Sequence, residues 1–183
     1  MASDGFYDAG LLRQIATNLF YGWGYNFYRA ENQLRADDQL VRSQAAGLLS
    51  QAMAAVEAAE SAYRREHLPP PSRSKPFPDA EAVAAAQGLE RLARAIGALS
   101  AAMQHQAAPE NDRMTQRYRN EAATLETLIQ TDERLVGQCD LLRSMVQGRD
   151  GVAILAKMVD LEAGLEGIRE TLQRRDAVLT GRG

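Results

Sequence analysis

Apolar residues recur three and four positions apart through almost all of this chain, and proline or glycine interrupts them at only a few places. That spacing lays side chains along one stripe of a helix, whereas a half-buried strand needs strict alternation. The first long stripe runs Trp23, Phe27, Glu31, Leu34, Asp38, Val41, Ala45, Leu48, Ala52, Val56, Ala59 and Tyr63. Leu68-Pro69-Pro70-Pro71 ends it, because proline has no amide proton and biases the residue before it to extended backbone. A second stripe takes Ala85, Leu89, Leu92, Ile96, Leu99 and Met103, with Pro109 soon after. The third runs Met114, Tyr118, Glu121, Leu125, Leu128, Asp132, Leu135, Cys139, Leu142 and Val146, and stops at Gly148. Ile154, Met158, Leu161, Leu165, Ile168, Leu172, Arg175 and Leu179 form the fourth.

These stripes predict an all-α fold, an antiparallel up-down-up-down four-helix bundle packed neighbour to neighbour. The helices are expected at about 25–67, 79–107, 112–147 and 151–180, with Asp79, Asn111 or Asp112, and Asp150 as amino-terminal caps. Alanines 52, 55, 59, 82, 85 and 86 let the first two axes approach closely. The frequent interruptions, and the drift of the first stripe between Leu48 and Val56, argue against one extended coiled coil. Residues 1–22 read as a separate arm and joint: Leu11, Leu12, Ile15, Leu19 and Phe20 line one face of a short helix that needs something to dock on.

Composition narrows the function classes. A net charge of −3 gives no general basis for nucleic-acid binding, which needs clustered cations on the phosphates. The single Cys139 excludes an intrachain disulfide and fits a reducing compartment. Asp8, Arg13, Asn18 and Asn26 interrupt the most apolar region, so no transmembrane segment is expected. The first residues lack the basic start and apolar centre of a secretory leader, and the expected location is the cytoplasm.

The chemically unusual stretch is Phe20-Tyr21-Gly22-Trp23-Gly24-Tyr25-Asn26-Phe27-Tyr28, which holds six of the eleven aromatic residues. Two glycines around the tryptophan make a joint, and the polar run from Arg29 follows directly. Aromatic rings beside arginine are the usual anchors of protein interfaces, so Phe20, Tyr21, Trp23, Tyr25, Phe27, Tyr28, Arg29 and Arg35 form the candidate interaction surface.

Acidic or basic residues on the stripes are the second signal, because a charge facing a core is costly unless paired, neutralised or metal-bound. They are Glu31, Asp38, Glu121, Asp132 and Arg175. In an up-down bundle Glu31 and Glu121 share a level, and the end of the second helix brings His105 there, with Tyr118 one turn from Glu121. Glu31, Asp38, His105, Tyr118 and Glu121 are thus the candidate polar cluster. It is read as a register-setting salt-bridge network, as part of a partner surface, or as a ligand or metal site, possible catalysis included.

Spacing weighs against the metal. Dimetal bundles place glutamate three residues before histidine, but Arg64 and Ala102 stand there before His67 and His105. Cys139 lacks the second cysteine and adjacent histidine of a haem attachment site, and the glycine-rich spots lack the lysine of a phosphate loop. No cofactor, metal ligand set or catalytic residue is assigned. Cys139, Met103, Met114, Met145 and Met158 read as core filling, and Arg64, Arg65, Arg174 and Arg175 as helix-end charges favoured by the macrodipole.

The function expected from these features is a non-enzymatic interaction or assembly protein. Its aromatic, arginine-rich end and arm contact a protein partner or a second copy. The alternatives are a small-ligand or metal site at the same end, and peripheral attachment of the arm to a membrane or polymer surface.

Overall fold

The computed structural model describes residues 33–73, 75–106 and 121–180, with side chains at 33–38, 121–126, 179 and 180 outside the description. The described residues are all helical apart from loops and turns: α1 (Gln33–His67), α2 (Ala80–Gln104), α3 (Glu121–Val146), α4 (Gly151–Leu155) and α5 (Met158–Thr180). The expected helix starts before Gln33 and Glu121, the arm and the cap at Asn111 or Asp112 lie outside these residues.

Local chemistry sets the described ends. α1 stops just before Leu68 and the three prolines, with Arg64, Arg65 and His67 in its last turn, where cations suit the helix dipole. Asp79 caps α2, its carboxylate accepting the Glu81 amide at 3.0 Å. Gly148, at φ +67°, turns the chain out of α3 in the left-handed conformation that glycine adopts without strain. Asp150 then caps α4, accepting from Ala153 N at 2.8 Å.

Directions follow from contacts between elements. Arg42, early in α1, reaches the carbonyls of Gln104 and Gln106 at the end of α2, while Arg64, late in α1, meets Glu90 in the first half of α2. Those two helices are therefore antiparallel. A Cβ on Gly151 would come within 3.0 Å of both Tyr63 and Leu89, so the chain leaving α3 lies against the end of α1. Gln106 reaches the Leu172 carbonyl and Arg175 reaches Asp132, which brings the end of α5 to the start of α1 and the first half of α3. The order is up-down-up-down.

The packing partners differ in one respect from neighbour-to-neighbour expectation. α1 packs most extensively on α2 and then on α3, while α3 packs on α5, and α2 touches α5 more sparingly. α1 can serve two neighbours because its first half buries two adjacent rows, Val41, Ala45, Leu48 and Ala52 in one, Arg42, Ala46 and Leu49 in the other.

The core is aliphatic: Leu49, Val56, Leu89, Ile96, Leu135, Leu142, Ile154, Leu161 and Ile168 are fully or almost fully buried. Ala85 is only half-buried, and the start of α2 instead turns Ala82 and Ala86 inward. The fourth expected helix is divided. Ala156 and Lys157 form a turn in which Lys157 N bonds to Ile154 O, the shorter three-residue spacing, before α5 resumes. The division lets α4 lie across the ends of α1 and α2 while α5 runs along α3. No helix among the described residues is long and apolar enough to cross a membrane.

Candidate functional site

The end of the bundle where α1 begins is polar inside. Arg42 is 8% exposed, and its Nη1 donates to the Gln106 carbonyl at 2.7 Å and more weakly to that of Gln104 at 3.4 Å. A guanidinium there satisfies carbonyls that α2 leaves without intrahelical donors. The Gln106 side-chain Nε2 in turn donates to the Leu172 carbonyl at 3.4 Å, linking the end of α2 to α5.

Deeper in, Arg175 Nε donates to Asp132 Oδ1 at 2.6 Å, with side-chain exposures of 2% and 0%. The short charge-assisted bond offsets the large cost of taking both groups out of water. Both residues are stripe exceptions in the sequence. Arg175, however, is not a surface charge answering a helix dipole; it is an interior residue with a specific acidic partner. Straight-helix counting conceals that match. Asp132 lies fourteen residues before Val146, and Arg175 lies seventeen after Met158 but twenty-four after Gly151. Only with α4 set apart do the two come level.

The expected polar cluster is placed only in part. His105 is exposed and caps α2, its backbone amide bonded to Ala101 O at 3.1 Å. Asp38, Arg35 and Glu121 lie on the helices α1 and α3, with side chains outside the described residues. Phe20, Tyr21, Trp23, Tyr25, Phe27, Tyr28, Arg29, Glu31 and Tyr118 lie outside them entirely. Among the described residues, no three of His, Cys, Asp and Glu are grouped to hold a metal ion.

Two interior residues in α3 complete the picture. Cys139 is fully buried, and desolvation, with a smaller push from Asp140, drives its thiol far above the ordinary range. It is a packing residue, since the reactive form is the thiolate. Gln138 is 1% exposed, and neither its amide nitrogen nor its amide oxygen has a hydrogen-bond partner among the described residues. Its position off the main stripe gave no sign of burial; the sign is the wide inward face that α3 needs between α1 and α5. Comparison of the chain with family models, curated proteins and solved structures finds no match.

Proposed function

We propose that this chain is a non-enzymatic interaction or assembly protein of the cytoplasm, in which a helical bundle carries an aromatic, arginine-rich end and arm to a protein partner or a second copy of itself. One observation carries the reading: the described core is aliphatic, and the only aromatic residues among the described ones are Tyr63 and Phe77. Six rings are instead crowded between Phe20 and Tyr28. Large amphipathic rings beside Arg29 and Arg35 supply much contact area for little lost side-chain freedom, which favours their use as anchors. The Arg42 cap goes with this assignment, because it ties the early part of α1, which follows the aromatic stretch in sequence, to the end of α2.

The test is light scattering and affinity capture with the Trp23→Ala chain and with a chain lacking residues 1–21. Loss of a partner or of the oligomer, with helicity and melting retained, is the expected result. Unchanged association in both variants overturns the reading. A lowered melting temperature with unchanged association also overturns it, and assigns the arm to the bundle's own packing.

A further inference from the structure

Five of the six prolines lie between residues 69 and 78, in the loop that joins α1 to α2. One proline stops a helix, yet Pro69, Pro70 and Pro71 stand in a row, all exposed and outside any helix or turn. Leu68, Pro69 and Pro70 each precede a proline, which disfavours helical backbone, and the rings hold φ near about −65°. The triplet is therefore a short polyproline II segment, held in the conformation its own sequence prefers.

Both ends of the segment are tied. Leu68 N donates to the Arg64 carbonyl at 3.0 Å, and beyond the triplet Ser72 and Lys75 exchange backbone hydrogen bonds, each 3.1 Å. Between those anchors the carbonyls of Pro69, Pro70 and Pro71 accept no hydrogen bond among the described residues. Joining the two helices does not require such a run. Judged from the contact of Arg64 with Glu90, α2 begins about seven residues, roughly 10 Å, beyond the last turn of α1. About four extended residues cross that distance, and the loop from Leu68 to Asp79 has twelve.

Charge does not single out this surface. Arg65, Arg73 and Lys75 are exposed around it, and so are Glu66, Asp79 and Glu81, three of each sign. The triplet offers instead adjacent ring faces, carbonyl acceptors without donors, and little freedom left to lose on binding. Aromatic side chains pack on proline rings, and indole N–H and phenol O–H groups can donate to the carbonyls between them. No proline follows another at a distance of three residues, so grooves that read Pro-x-x-Pro in two pockets do not match, whereas a single cleft does. We infer that the Pro69–Pro71 segment is a docking site for a separate protein domain that grips a proline run in one cleft of stacked aromatic rings. The inference concerns the α1–α2 loop and stands independently of the reading of the aromatic stretch.

Calorimetric titration of the full chain with an isolated WW domain and with an isolated EVH1 domain, from about 10 µM to 1 mM, covers the affinities of so small a contact. The expected result is one-to-one binding by at least one of them, which Pro69→Ala with Pro70→Ala weakens roughly tenfold or more. Pro76→Ala with Pro78→Ala, and separately Trp23→Ala, are expected to leave the affinity within about twofold. Raising salt from about 50 to about 500 mM is expected to change it less than about twofold, because rings and neutral carbonyls are not screened. In the unsubstituted chain, the amide resonances of Ser72 and Arg73 are expected to shift on binding. Binding by neither domain overturns the inference. So does binding that survives the Pro69 and Pro70 substitutions, that leaves the loop resonances unmoved, that is lost in Trp23→Ala, or that falls with salt as a charge contact does. Melting followed by circular dichroism separates lost docking from lost folding in the proline variants, whose substituted positions are all exposed.

Discussion

The α1–α2 pair and the α3–α5 pair are both antiparallel, yet they are held by different chemistry. Between α1 and α2 small residues meet: Ser50 and Ser100 bring their hydroxyls to 3.3 Å, and Met53 lies over Gly97. The axes come close enough for the Ser100 hydroxyl to donate to the Ala46 carbonyl at 3.1 Å, where Ser50 also donates. Between them α3 and α5 instead bury Thr131, Asp132, Gln138, Thr171 and Arg175, five of the seven buried polar or charged residues described. Shape fixes the register of the first pair. The second carries the Asp132–Arg175 ion pair in its interior, and Gln138 of α3 keeps a buried amide without hydrogen-bond partners among the described residues. Polar contents in a core trade stability for a unique arrangement.

The sharpest way to break this contrast is Asp132→Ala, which leaves the Arg175 charge buried without its carboxylate. It is expected to cost about 3–5 kcal/mol in chemical denaturation. A loss below about 1 kcal/mol would mean that the pair is incidental to the register. The double variant Asp132→Leu with Arg175→Met should fall within roughly 1 kcal/mol of the parent or exceed it, because similar apolar volume removes both desolvation costs. Should it lose as much as the single variant, the ion pair supplies net stability and not merely specificity.

Gln138→Met sharpens the comparison from the other side. An amide with no partner costs about 1–3 kcal/mol that a thioether of like length does not, so a gain of roughly 1 kcal/mol is expected. A destabilised variant would show that the amide is bonded in solution. In the alanine-rich pair, Gly97→Ala brings a Cβ within 2.8 Å of the Met53 sulfur, the end of a flexible, half-buried side chain. The improved helix propensity, up to about 1 kcal/mol, then offsets the displacement, and the net change should be under about 0.5 kcal/mol. A large loss would place Met53 among the rigid contacts.

The last effect is confined to alkaline pH. The folded state holds the Cys139 proton well above the thiol's ordinary value near 9, whereas the unfolded chain releases it there. The unfolded state therefore binds fewer protons above that value, and stability should fall with rising pH at up to about 1.4 kcal/mol per unit from this group. Cys139→Ala should flatten that component of the slope between pH 9 and 10.5, measured against the parent, and an unchanged slope would assign the loss to other groups.

Much of the architecture was legible because its signals are local. Proline after Leu68, Asp79 and Asp150 as caps, and Gly148 beyond α3 each act within a few residues. Three features were not local. Leu155, Ala156 and Lys157 are good helix formers, and the break there follows from α4 and α5 packing on different partners. The pairing of Asp132 with Arg175 depends on that break. The inward turn of Gln138 depends on how many neighbours α3 meets, which one-stripe periodicity does not encode; Ala82 and Ala86 were read as close-approach alanines and are buried, while Ala85, placed on the stripe, is half-buried. Of the candidate site, His105 is exposed at the end of α2, while the aromatic positions lie outside the described residues.

The Arg42 contact with the last carbonyls of α2 also marks where that helix stops beside α1. Past that contact α1 continues amino-terminally for nine residues, Gln33 to Val41, about 13 Å at standard rise. Val41 is fully buried among them, so the guanidinium closes α2 at a level where the core itself still goes on.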